Sequence, residues 1–252
     1  MVKLKFEHKE ICCQGVIFDK DCTLTDSFAM WPELISRRVD KLVDCLALPP
    51  GADALLFKIM GLDPFSKKMS RSSPVVAGTR LETAAAVAGV LYMNYGYAWD
   101  YIIRKVSCLF EESDGEMGLD KQAIPFPGLP EKIQMLHQAG CVLAVATNDS
   151  YARTREIINI LGLENYFAAI ACADQVANAK PDPAMVNLVC QKTGLKPADF
   201  ILVGDSLLDM QMGVKAGTKL NVGVLTGASR REELLGTADW VLQSVTDLEI
   251  VK

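Results

Sequence analysis

The stretch Gly15-Val-Ile-Phe-Asp19-Lys-Asp21-Cys-Thr23-Leu-Thr-Asp-Ser27 passes from an apolar segment directly into carboxylates and hydroxyls. With the residues before it, Ile11–Phe18 reads as a short strand, rich in β-branched residues and buried on both faces. Similar runs recur at Cys141–Thr147, Phe167–Cys172, Phe200–Gly204, Leu220–Leu225 and Trp240–Leu242. Between them, helical spacing predicts helices at Pro130–Gln138, Tyr151–Leu161, Pro183–Thr193 and Leu207–Ala216. Strands alternating with helices, with near-continuous rather than alternating apolar strands, predict an α/β fold: a Rossmann-like parallel sheet covered on both faces.

Residues 27–122 carry a different pattern. Helix-favouring stretches dominate there, notably Pro32–Leu46, Leu81–Asn94 and Trp99–Glu112, and no strand is evident. Turn-rich segments flank the region at Thr25–Ser27 and Ala123–Pro130. The expected organisation is an α/β core formed by residues 1–26 and 123–252, interrupted after its first strand by a helical cap of residues 27–122.

Composition narrows the function. The 252 residues carry a formal net charge of −5, which argues against a nucleic-acid groove or a membrane-binding face. The N-terminus is too charged for a secretory signal peptide, and no apolar run approaches the roughly 18 residues of a membrane span, so the cytoplasm is expected. Eight cysteines without a CxxC pair fit neither a disulfide scaffold nor a zinc ribbon, and are expected mostly as small buried hydrophobes. His8 and His137, the chain's two histidines, lie apart from other ligand types, which disfavours a histidine-based zinc site or a Ser-His-Asp triad.

In an open α/β sheet the ligand lies beyond the carboxyl ends of the strands. After the first strand come Asp19, Asp21 and Thr23; after the second, Thr147-Asn148-Asp149. Asp174 and Lys180 follow the third, and Asp205, Ser206 and Asp209 the fourth. The step from Asp205 to Asp209 is one helical turn, so both carboxylates can face one ion. Lys20, next to Asp19, is expected to face away from it, since neighbouring strand residues face opposite sides.

These segments resemble the four motifs of the haloacid dehalogenase superfamily, specifically its aspartate-nucleophile phosphatases of the phosphoglycolate phosphatase type. Asp19-Lys-Asp21-Cys-Thr23 is similar to the first motif and Thr147-Asn148 to the second. Lys180 in Ala-Lys-Pro-Asp-Pro is similar to the third, and Gly204-Asp205-Ser-Leu-Leu-Asp209 to the fourth. The resemblance implies Asp19 as nucleophile, Asp21 as acid and base, and Lys180, Thr147, the Asn148 backbone and Thr23 around the substrate phosphate. It implies Mg²⁺ held by Asp19, the Asp21 carbonyl and Asp205, with Asp209 as a further or water-mediated ligand. The implied partner is a small phosphorylated metabolite, acted on by a monomer or homodimer. A phosphomutase of the same superfamily and a non-catalytic phosphometabolite-binding protein are the alternatives. Asp21 argues against dehalogenases and cation pumps, which lack it. One departure stands out: Cys22 replaces the family's usual glycine, which suits a turn without positive φ.

Overall fold

The computed structural model describes residues 1–251, which form two compact units, Met1–Asp26 with Ala123 onward, and Ser27–Gln122. The first unit opens with strands β1 (Val2–Phe6), β2 (Lys9–Cys13) and β3 (Gly15–Phe18). The helical unit follows, with α1 (Ser27–Leu46), α2 (Ala52–Met60), α3 (Pro74–Ala77), α4 (Arg80–Tyr95) and α5 (Trp99–Met117). The first unit then resumes with α6 (Leu129–Gln138), β4 (Val142–Thr147), α7 (Tyr151–Ile160), β5 (Phe167–Cys172) and α8 (Ala184–Thr193). It ends with β6 (Phe200–Gly204), α9 (Leu207–Ala216), β7 (Leu220–Val224), α10 (Arg231–Leu234), β8 (Trp240–Leu242) and β9 (Glu249–Val251).

Six strands form a wholly parallel sheet in the order β5-β4-β3-β6-β7-β8. Its strands are apolar throughout because both faces are covered. On one face Val16, Phe18, Val145 and Val203 pack with Leu129, Ile133 and Leu136 of α6 and Ile158 of α7. On the other, Ile17, Ala144 and Leu202 pack with Met185, Val186 and Val189 of α8 and Met210 of α9. Successive residues of β3 thus serve opposite layers, as the two-residue side-chain period requires. Gly15 permits close packing at the start of β3, since a Cβ there would lie 2.3 Å from the Phe200 ring. The chain turns from β3 toward β4 and β5 on one side and toward β6 to β8 on the other. The carboxyl end of β3 is therefore the switch point where such sheets place their ligands.

The run Ile11–Phe18 is not one strand. Gln14 breaks it, donating its N–H to Asp199 O and accepting from Val142 N, both at 2.9 Å. Before the break, β2 belongs to a separate antiparallel sheet of order β2-β1-β9. β1 alternates buried Val2, Leu4 and Phe6 with exposed lysines, a two-residue pattern masked in sequence by its charge. Phe6 stacks on Trp240 at 5.2 Å between ring centroids.

In the helical unit, α1 packs on α2 and α5, and α4 on α2 and α5. Helix α1 begins at Ser27, five residues ahead of the expected start, with Pro32 inside it. The ring removes one backbone donor, while Phe28 and Trp31 pack edge to face at 5.1 Å within that turn. Arg38 is buried, bonds Asp114 Oδ1 through Nη2 at 2.8 Å and lies over the Phe110 ring at 4.2 Å. Helix α4 starts in a reciprocal cap between Thr79 and Glu82.

The cysteines divide otherwise than expected. Cys13, Cys22, Cys141 and Cys172 are buried and Cys190 half-buried, but Cys12, Cys45 and Cys108 are exposed. Among the described residues no helix is long and apolar enough to cross a membrane.

Candidate active site

Asp19 is the first residue beyond β3, and its N–H continues the ladder to Val203 O of β6 at 2.9 Å. Asp205 is the first residue beyond β6, and Asp209 lies in the first turn of α9. Two adjacent parallel strands thus deliver Asp19 and Asp205 to one edge of the sheet. The helix that leaves β6 adds Asp209. Each of the three offers a carboxylate oxygen within 4.8 Å of the other two, and all three residues are buried.

Separate anchors hold each carboxylate. Asp209 Oδ2 accepts from Ser206 N at 3.1 Å and from Ser206 Oγ, while Ser206 Oγ accepts from Asp209 N at 3.2 Å. This reciprocal cap satisfies helix donors and turns the other oxygen of Asp209 toward Lys180. Asp205 Oδ2 accepts from Ala228 N at 2.7 Å. Gly227 lies so close that a Cβ there would be 1.9 Å from Asp205 Oδ2.

Lys180, in the loop between β5 and α8, pairs with Asp19 and, at 2.6 Å, with Asp209. Asn148, beyond β4, fixes that loop by accepting the Lys180 N–H on Oδ1 at 3.1 Å. Burial pushes the Asp19 carboxyl up to about 7 against the opposing pull of Lys180. Burial, reinforced by Asp19 and Asp209, raises Asp205 well above the ordinary carboxylate range. Burial works against the Lys180 charge, yet Asp19 and Asp209 outweigh it and hold Lys180 above the ordinary lysine value. Three buried carboxylates facing one ammonium leave an excess of negative charge. Hard oxygen donors in that state suit a divalent cation such as Mg²⁺.

The other expected residues lie beyond or at the ends of β3 and β4. Thr147 closes β4, and its Oγ1 accepts from Asp149 N at 3.2 Å. Thr23 is buried, and its Oγ1 has no hydrogen-bond partner among the described residues. Asp21 is not one of the three clustered carboxylates. Both its oxygens are held by Lys20 Nζ, at 2.9 and 2.8 Å. Lys20 is 1% exposed and also pairs with Asp149 at 2.9 Å, which in turn pairs with Arg153 at 3.1 Å. β3 ends at Phe18, and the ion pairs of Lys20 are with Asp21 and Asp149 rather than with Asp19. Leu24 and Thr25 donate their N–H groups to Lys20 O at 2.8 and 3.0 Å, making a tight turn about that carbonyl. Cys22 in this turn has φ 61°, the left-handed conformation that its sequence suggested the turn would avoid.

Comparison with known proteins places the chain in a family. A family profile described as haloacid dehalogenase-like hydrolase matches residues 13–217. The chain belongs to the haloacid dehalogenase-like hydrolases. Within this family, phosphoglycolate phosphatase of Salmonella typhimurium is 28% identical over 93% of this chain and 90% of its own length. N-acetylmuramic acid 6-phosphate phosphatase of Pseudomonas aeruginosa is 34% identical over 38% of this chain, a match that spans 42% of that relative. Among haloacid dehalogenase-like folds, the crystal structure of a predicted phosphoglycolate phosphatase from Haemophilus somnus superposes with a TM-score of 0.71. It covers 93% of this chain and 96% of that one at 21% identity.

Proposed function

We propose that the protein is a Mg²⁺-dependent phosphomonoester hydrolase that acts on a small phosphorylated metabolite through an aspartyl-phosphate. The observation that carries this reading is the convergence of Asp19, Asp205, Asp209 and Lys180 at one sheet edge. Relatives named as phosphatases support it.

Phosphate monoesters are among the slowest species to hydrolyse uncatalysed, so the site has to supply a nucleophile, an acid and charge compensation. Asp19 is the nucleophile: its carboxylate attacks phosphorus, and the leaving oxygen takes a proton from Asp21. Water then attacks the phosphorylated Asp19, and Asp21 accepts the proton that water gives up. Lys180 holds a phosphate oxygen and offsets the carboxylates. Thr147 and the backbone of Asn148 donate to the remaining oxygens, and the unpartnered Thr23 hydroxyl is available in the same loop.

Asp19, Asp205 and Asp209, with the Asp21 carbonyl, would hold Mg²⁺, whose charge permits one anion to approach another. The helical unit, inserted directly after the loop that carries Asp19 and Asp21, is the part of the chain we assign to substrate selection. The cytoplasm is the compartment in which such a metabolite is met.

Release of inorganic phosphate from 4-nitrophenyl phosphate and from a panel of phosphorylated metabolites tests the reading. Turnover is expected with Mg²⁺, is lost with EDTA, and is abolished in a folded Asp19→Asn variant. Intact substrates throughout the panel, or full activity in Asp19→Asn, would defeat it.

A further inference from the structure

We propose that Lys20 is a positioning residue for Asp21, held in place by Asp149 and Arg153, and that it fixes the direction in which the Asp21 carboxyl faces. The inference rests on the phosphomonoesterase reading above. Lys20 Nζ grips both oxygens of Asp21, at 2.9 and 2.8 Å, and does so from a buried position. A lysine is rarely fully buried without paired charges, because its four-carbon stem loses rotamer freedom and its ammonium loses water. Here the ammonium is compensated by carboxylates on two different loops, Asp21 beyond β3 and Asp149 beyond β4. Asp149 is fixed in turn by Ser150 N at 2.8 Å and Arg153 Nε at 3.1 Å. The side chain of Asp21 is 37% exposed. Lys20 holds both of its oxygens from a buried position.

The chemical consequence lies in the direction in which Asp21 faces when its proton moves. As the phosphorus to leaving-oxygen bond breaks, the electron pair goes to that oxygen, which takes the proton of Asp21, while Asp19 Oδ bonds to phosphorus. The acid has to present its carboxyl to that oxygen at that moment, and Lys20 holds both oxygens of the carboxyl group in one orientation. A catalytic group already held in its orientation does not have to be ordered during the reaction. In the second half-reaction the same contact orients Asp21 to take a proton from attacking water.

A purely structural lysine and a lysine acting through the acid differ in leaving-group dependence. Phenyl and 4-nitrophenyl phosphate have similar shapes. Phenoxide is a strong base, with the basicity of a tyrosine side chain at about 10, and needs the proton; 4-nitrophenoxide leaves unaided. In Lys20→Met, kcat/KM for phenyl phosphate is expected to fall by about tenfold or more, the lower range for a misplaced general acid. For 4-nitrophenyl phosphate the fall is expected to stay within about threefold. Lys20→Arg should recover part of the phenyl phosphate rate. Should Lys20→Met not fold, Asp149→Asn keeps the ammonium but frees it from one anchor, and a smaller loss with the same selectivity is expected. Equal losses on both esters, in whichever variant folds, would overturn the role of Lys20 alone. Wild-type protein inactive on both esters and on the metabolite panel would defeat the phosphatase reading, and this inference with it.

Discussion

Gly227 and Asp205 are so closely apposed that no side chain fits between them: a Cβ on the glycine would fall 1.9 Å from Asp205 Oδ2. The backbone of Ala228 donates to that same oxygen at 2.7 Å, so the glycine lets the main chain reach and orient the carboxylate. Gly227→Ala has to displace Asp205. Supporting contacts of metal ligands typically carry a ten- to hundredfold effect on affinity, so we expect Mg²⁺ dependence to move up by about that factor. Mg²⁺ titrations of activity and of melting temperature measure it. An unchanged midpoint would show that Asp205 tolerates the shift.

Lys180 is the cation on which Asp19 and Asp209 both depend. Removing one partner of a buried ion pair costs about 3–5 kcal/mol, since the remaining charge keeps its desolvation penalty. Lys180→Met is therefore expected to destabilise the metal-free protein at pH 8 by about that amount, read by urea titration, with Mg²⁺ recovering part of the loss. Turnover should drop by about a hundredfold or more, as when other charge-stabilising groups are removed.

The metal-free protein should become less stable as pH rises through neutrality. Burial raises Asp19 from 3.8 to about 7 in the folded state, so between those values the folded chain binds more protons than the unfolded one. The stabilising contribution is fully present below about 3.8 and is lost as pH rises through about 7; Asp205 is shifted in the same direction. Melting curves in EDTA are expected to show this fall from pH 6 to pH 8.5. Mg²⁺ should raise the melting temperature more at pH 8.5 than at pH 6, because the cation competes with protons for the same carboxylates. A constant increment across that range would contradict the proposed ligands.

Cys22 holds a left-handed conformation, φ 61°, in the turn between Asp21 and Thr23. A side chain in that region costs about 1–2 kcal/mol, partly offset by the greater unfolded-state freedom of glycine. Cys22→Gly should thus be more stable than Cys22→Ala, by about 1 kcal/mol in urea unfolding. Both variants lack the thiol, so the difference isolates the backbone; an alanine variant equal to or better than the glycine one would refute strain at this turn.

Much of this protein was readable from composition and spacing alone. The apolar runs at Phe167–Cys172, Phe200–Gly204 and Trp240–Leu242 coincide with β5, β6 and β8, because strands buried on both faces must be apolar throughout. The helix expected at Leu207–Ala216 likewise coincides with α9. Asp19 and Asp205, polar residues at strand ends in the sequence, do meet at one edge of the sheet with Asp209, the edge where such sheets place ligands.

Only the tertiary structure decided the rest, since those features depend on partners distant in sequence. Gln14 ends β2 because Asp199 and Val142 take its backbone hydrogen bonds, and Val2–Phe6 becomes a strand by pairing with both β2 and β9. Lys20 turns inward because Asp149, from another loop, completes its charge pairing beyond the point where strand alternation ends. Sequence determined which groups are present and at which strand ends. The fold decided which carboxylate meets which cation, because pairing energy depends on distance and burial that no local pattern encodes.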